Sequence, residues 1–259
     1  MKQPISVHIS AGGQSSRMRE IMAEMGYQPD YPKHLLPTGN PNDETLLGRI
    51  VSQALALPEV SDLTIHTSEG SKDYVDSHPD IDTKAKVVAR TYEGTLGPIL
   101  QPYLEEKKPV ISASGDFYLR SDWGQILGFH ESHNSPITYV AGNSYPTMNA
   151  AVFRTNGTRM AEWERIDGLS EEGDLVNVGL YLFKPHPGVH EIFTAAGSEH
   201  HEHILGSLIS EKLIEVYVLE ERIYNVNNPA IYAHLLRDNQ AVSVAPGISV
   251  DLEPESLVG

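Results

Sequence analysis

The spacing of apolar positions along the chain predicts strands first, then alternating helices and strands, then a run of strands. Residues 5–10 (ISVHIS) form a short β-rich run that feeds directly into Ala11-Gly12-Gly13. From 45 to 57, Leu46, Leu47, Ile50, Val51, Ala54 and Leu55 recur at helical spacing. Asp43 or Thr45 serves as the N-cap of that helix and Pro58 stops it. Residues 63–67 (LTIHT), 85–89 (AKVVA) and 110–113 (VISA) read as further strands, the last ending in Ser114-Gly115-Asp116. Alternation continues to about residue 131, the pattern of a parallel sheet covered by helices. Beyond it, residues 136–141, 150–154 and 178–183 predict strands separated by turn-rich segments, with Asn156-Gly157 as a hairpin turn. A helix after Gly206, a strand over 215–219 and a helix over 229–237 complete the pattern, and a tail bearing proline and glycine runs from 240 to 259. The fold class expected is α/β, with a Rossmann-like, mixed but mostly parallel sheet, helices on both faces and a β-rich second half. No repeat or low-complexity linker interrupts the chain, so a single domain over 1–259 is expected.

Composition narrows the functional classes. A net charge of −16 weighs against nucleic acid as a partner, because a polyanion meets a repulsive averaged field. Small phosphorylated ligands need only a few local cations, and 19 Lys and Arg can supply them. With no cysteine, disulfides, thiolate nucleophiles and thiolate metal sites are excluded. No apolar run approaches a membrane span, and MKQPISVHIS lacks a signal-peptide core, so the expected compartment is the cytoplasm.

Candidate chemistry begins at the first strand's end, where open α/β sheets bind ligands. There Ala11, Gly12, Gly13, Gln14, Ser15, Ser16 and Arg17 follow in sequence. Paired glycines let the backbone approach a ligand and offer N–H groups to an anion. The serines add hydroxyl donors, and Arg17 adds a planar cationic fork suited to phosphate oxygens. A glycine pair after a strand is equally the mark of a plain turn, and this one matches neither the P-loop nor the GxGxxG spacing. In Pro32-Lys33-His34-Leu35-Leu36-Pro37 the prolines restrict the backbone around Lys33 and present it in a defined direction. Taken alone, Lys33 reads as a solvated surface lysine.

Together, AGGQSSRM and PKHLLP resemble the signature of the nucleotide-sugar pyrophosphorylases, loosely AGG-x-G-x-R followed by P-K-x-L-L-P. The resemblance implies a nucleotide-diphospho-sugar transferase fold and an activity joining a nucleoside monophosphate to a sugar-1-phosphate. The nucleotide would sit on about 1–135 and the sugar phosphate on about 136–239. Nucleotide contacts then fall on Ala11, Gly12, Gly13, Gln14, Ser15 and Ser16, and the catalytic cations on Arg17 and Lys33. Glu93-Gly94-Thr95-Leu96-Gly97-Pro98 resembles the family's segment near nucleobase and ribose, placing Gly94 and Thr95 there. Asp116 matches a Mg²⁺ ligand, and a carboxylate at a strand's end suits a hard cation held against phosphates, although it also suits a turn cap.

Glu164-Arg165 and the Asn177 and Gly179 of VNVGLYLF correspond to the sugar-phosphate contacts. The second metal ligand falls on Asn225. The chain departs from the pattern at Ser15, where the family has glycine, and after Arg165, where a proline is missing. The stretch between Arg17 and Lys33 is also longer. Asn225 is the main departure, replacing an aspartate by a neutral amide, so the expected Mg²⁺ site is one carboxylate short. Two other readings compete: a nucleotidyltransferase with a non-sugar acceptor, of molybdopterin or phosphocholine type, and a non-catalytic homologue that binds nucleotide sugars. A further histidine cluster, His200, His201 and His203, reads as a polar loop entering a helix.

Overall fold

In the computed structural model, nine of the ten strands among the described residues form a path in the order β3-β2-β1-β4-β9-β6-β10-β8-β7, and β5 pairs with β10 beside it. The structure describes residues 3–12, 16–40, 44–81, 83–90, 97–146, 150–166, 168–196, 201–226 and 229–239. The strands are β1 (Ile5–Ser10), β2 (Val60–Thr67), β3 (Ala85–Ala89), β4 (Val110–Ser114), β5 (Phe117–Tyr118), β6 (Ile137–Ser144), β7 (Ala151–Asn156), β8 (Arg159–Arg165), β9 (Leu175–Phe183) and β10 (Ile214–Asn225). The helices are α1 (Arg19–Glu24), α2 (Leu46–Leu55), α3 (Glu69–Asp76), α4 (Gly97–Glu105), α5 (Trp123–Ser132), α6 (Pro187–Ala196), α7 (His201–Ser210) and α8 (Pro229–Asp238).

Alternation along the strands builds two cores. Val7 and Ile9 of β1, Ile111 and Ala113 of β4, and Leu180 and Leu182 of β9 face one side and pack with α2, α3 and α5. Val110, Tyr181 and Phe183 face the other side, against α4, α6 and α7. The expected helix over 45–57 is α2, and the Thr45 hydroxyl accepts the Gly48 N–H at 3.0 Å as its N-cap. A third core lies under α8, where Met18, Ile21 and Met22 meet Leu36, Tyr118, Tyr224, Ile231 and Tyr232. The first part of the long stretch before Lys33 therefore folds as α1, packed in the same core as α8.

The sheet corrects one expectation. Strands β3-β2-β1-β4 run parallel, as does the β6–β10 pair. Every other pairing, including β4–β9, β6–β9 and the β7–β8 hairpin, is antiparallel. The sheet is thus mixed rather than mostly parallel, and the Rossmann-like description does not carry over to the whole. Because the β7–β8 hairpin pairs with β10 on one side and β9 on the other, the strands β9-β6-β10-β8-β7 close into a five-stranded barrel. The hairpin is present, but its turn sits one residue later than expected, on Gly157-Thr158 between the paired Asn156 and Arg159, with Gly157 at φ 63°. Two boundaries also shift: the helix expected after Gly206 begins at His201, not in a loop, and the strand expected over 215–219 continues to Asn225. Among the described residues no helix is long and apolar enough to cross a membrane.

Candidate active site

At the carboxyl edge of the parallel strands, three chain segments are tied together by backbone bonds. Ala11 donates its N–H to His66 at 2.7 Å, and Gly115 donates to Ser10 at 2.7 Å. The Thr67 hydroxyl donates to the Ala11 carbonyl at 3.1 Å. The start of the glycine loop is thereby fixed against β2 and the turn after β4. Glycine at 115 permits this close approach, since a Cβ there would stand 3.0 Å from both the His34 ring and the Ser10 carbonyl oxygen and would push against them. At Gly12 a Cβ would meet only the Ser68 backbone nitrogen, at 3.9 Å, so described protein atoms leave room there. Gly13, Gln14, Ser15, Gly94, Thr95 and His200 lie outside the described residues, as do the side chains of Ser16, His201 and His203. Arg17 is exposed on a short 3₁₀ turn whose next residue, Met18, is buried in the core under α8.

Lys33 behaves differently from a solvated lysine: only 8% of it is exposed. Pro32 is extended and leads into a 3₁₀ turn over Lys33–Leu35. Leu35 enters one core and Leu36 another, so the turn is clamped from both sides. Its ammonium donates to Asp116 Oδ2 at 2.8 Å and to the Val226 carbonyl at 3.4 Å. The other carboxylate oxygen of Asp116 accepts the Ser114 hydroxyl. Burial alone would raise the Asp116 carboxyl, but the Lys33 charge and the two donated hydrogen bonds outweigh it and hold the group below the usual carboxylate range. His34, directly beside the pair, is fully enclosed, and burial together with the Lys33 charge lowers its pKa to about 4. It is a neutral ring at physiological pH, and its Nδ1 has no hydrogen-bond partner among the described residues.

Asn225 is carried to this place by β10. It pairs with Phe117 across the short β5–β10 ladder, and Val226 donates its N–H to the Asp116 carbonyl at 2.7 Å. The two positions matched to metal ligands are therefore on adjoining backbones. Their chemistry is one carboxylate and one amide, and among the described residues no group of three or more His, Cys, Asp or Glu is placed to hold a metal ion. Such a hard-oxygen pair fits Mg²⁺ only with phosphate oxygens and water completing the shell.

A bulge in β9 lies beside the same turn. Between Tyr139↔Tyr181 and Ala141↔Asn177, β9 spends two more residues than β6. Gly179 takes φ +83° there, and a Cβ on it would come within 2.9 Å of the Ser114 Cβ. Asn177 Oδ1 accepts the Gly179 N–H at 3.0 Å, and its amide donates to the Tyr181 hydroxyl at 2.6 Å. Burial raises the Tyr181 phenol to about 12, so it remains a neutral partner. Asn177 and Gly179 are thus drawn to the Asp116 turn. Glu164 and Arg165 are not: both are exposed at the end of β8, with no ion pair to the cluster among the described residues. Their link is indirect, since Val152 pairs with both Glu164 and Val176, the neighbour of Asn177.

The sequence reading missed Ser114, His34 and Tyr181. Ser114 had a signal, standing two residues before Asp116 where its hydroxyl can reach the carboxylate. For His34 and Tyr181, nothing short of the fold reveals their burial against the site.

No protein-family model matches the chain, and no curated protein matches its sequence. Among solved structures, the fold is similar to that of a protein assigned as a glucose-1-phosphate thymidylyltransferase from Bacillus anthracis, solved in complex with sucrose. The TM-score is 0.70 at 14% identity, over 93% of this chain and 98% of that one. HddC from Yersinia pseudotuberculosis is similar with a TM-score of 0.61 at 16% identity, over 90% of this chain and 98% of that one. At these identities the likeness establishes a shared fold.

Proposed function

We propose that the chain is a sugar-1-phosphate nucleotidyltransferase, moving a nucleoside monophosphate from a nucleoside triphosphate to a sugar-1-phosphate and releasing pyrophosphate. The observation that carries this reading is the meeting of Lys33, Asp116 and the Asn225 strand end at one turn. The fold shared with a protein assigned as a thymidylyltransferase supports it over nearly the whole chain.

In this reading a phosphate oxygen of the acceptor attacks the α-phosphorus in line with the departing pyrophosphate. The attacking oxygen is already anionic, so no general base is needed. Catalysis rests on positioning and on neutralising charge that moves toward the leaving group. The room at Gly12 lets phosphate oxygens approach backbone N–H groups, and exposed Arg17 meets the triphosphate from the loop's far end. Lys33 faces the α-phosphate from the clamped turn. Asp116 and Asn225 would hold Mg²⁺, which supplies two positive charges against the triphosphate. The β9 bulge presents Asn177 to a sugar hydroxyl with its amide orientation set by Gly179 and Tyr181.

Asn225 favours a second reading, a homologue that binds nucleotide sugars without turnover. A matrix of common nucleoside triphosphates against sugar-1-phosphates, read as pyrophosphate, separates the two. Release in one or a few combinations supports transfer; nucleotide-sugar binding without release supports the second reading.

A further inference from the structure

We infer that Lys33 holds the cation position of this site in the nucleotide-free protein, and that a divalent cation gains Asp116 by displacing the Lys33 ammonium as the triphosphate arrives. The entry step rests on the nucleotidyl-transfer reading; the competition between lysine and cation does not.

Geometry is the first support. The ammonium bridges Asp116 Oδ2, at 2.8 Å, and the carbonyl of Val226, at 3.4 Å. Val226 directly follows Asn225, so Lys33 links the same two backbone segments that a cation held by Asp116 and Asn225 would link. Lysine and cation thus require one carboxylate oxygen and one small space.

Charge is the second. With an amide at 225, Asp116 is the only formal negative charge of the two, and Lys33 already neutralises it. A bare divalent ion approaching the pair meets no net negative charge and an ammonium in its way. A triphosphate changes this balance, because its oxygens accept the displaced ammonium and complete the cation's shell together. The Ser114 hydroxyl on the other carboxylate oxygen keeps Asp116 oriented during the exchange. The four-carbon stem of lysine allows its head to move while Leu35 and Leu36 anchor the turn.

The test is Mn²⁺ titration without nucleotide, followed by loss of the aqueous Mn²⁺ paramagnetic resonance signal. Wild type should bind only weakly, and Lys33→Met should bind at least tenfold more tightly. A non-hydrolysable nucleoside triphosphate analogue should tighten Mn²⁺ binding by wild type. Because Lys33→Met can lose stability, its melting is checked, and Asn225→Asp provides a second arm. A second carboxylate there should tighten nucleotide-free Mn²⁺ binding at least tenfold with Lys33 still in place. Unchanged affinity in folded Lys33→Met overturns the competition, and unchanged affinity in Asn225→Asp overturns the shared position. A protein that shows both shifts yet releases no pyrophosphate with any substrate pair keeps this inference and loses the transfer reading.

Discussion

Val226 donates its backbone N–H to the carbonyl of Asp116 at 2.7 Å, joining the end of β10 to the turn after β4. The same two residues share the Lys33 ammonium. This small bracket connects the parallel strands, the barrel and the proline-flanked turn, and most of the expected behaviour follows from it.

Removing Lys33 should affect both folding and turnover. Lys33→Ala leaves the mostly buried Asp116 without its cation, a loss of about 3–5 kcal/mol in urea denaturation. Asp116→Asn added to Lys33→Met should recover part of that loss, because the unpaired charge is then gone. Turnover of Lys33→Ala should fall on the order of 10²–10³-fold, as expected when a transition-state charge loses its partner. Unchanged turnover removes Lys33 from the mechanism.

Arg17 should give the opposite profile. It is exposed, so Arg17→Ala should shift stability by no more than about 0.5 kcal/mol. The KM for the triphosphate should rise about tenfold or more, the loss of a charge-assisted contact. A variant with ordinary triphosphate KM and kcat would show that the loop binds without it.

Gly179 tests the bulge. An alanine there must accept φ +83° and a Cβ 2.9 Å from that of Ser114, so Gly179→Ala should cost about 1–3 kcal/mol. Asn177→Ala keeps the backbone but removes the amide between Gly179 and Tyr181. Its KM for the sugar phosphate should rise while the KM for the triphosphate stays put. Equal effects on both substrates would detach Asn177 from the acceptor side.

Buried histidines set the acid limit of stability. Burial lowers His34 and His66 to about 4 and His130 to about 3, below the ordinary histidine value. Between those values and about 6.5 the unfolded chain binds protons that the folded one does not, so stability rises with pH through this window. Full stability is present above about 6.5 and is lost as pH falls toward 4, at up to about 1.4 kcal/mol per pH unit for each histidine. Urea midpoints should drop clearly from pH 7.5 to pH 5. Equal midpoints contradict neutral burial of these rings.

Much of the scaffold was legible because its signals are local. β1, α2 with its Thr45 cap, β4 ending at Ser114 and, to within one residue, the β7–β8 hairpin turn follow from spacing and turn chemistry. The barrel was not legible, since closure depends on which distant strands the β7–β8 hairpin meets, and alternation along a strand is silent on that. α1 escaped for a similar reason: its apolar side is satisfied by α8, far along the chain. At the site, Lys33, Asp116, Asn177 and Gly179 were found in sequence order and are brought together. The burial of Lys33 was not foreseen, because proline neighbours state a direction and say nothing of what lies in it. Arg165 illustrates the reverse, a motif position that the fold leaves exposed and apart.

The central claim is transfer of a nucleotidyl group to a sugar phosphate, and pyrophosphate release measures it directly. Wild-type protein with Mg²⁺, a panel of nucleoside triphosphates and a panel of sugar-1-phosphates should release pyrophosphate only when both substrates are present. The same mixtures should yield a nucleoside diphosphate sugar by mass, and Lys33→Ala should lower both signals on the order of 10²–10³-fold. Absence of pyrophosphate across the panel, with triphosphate still bound, would contradict the account.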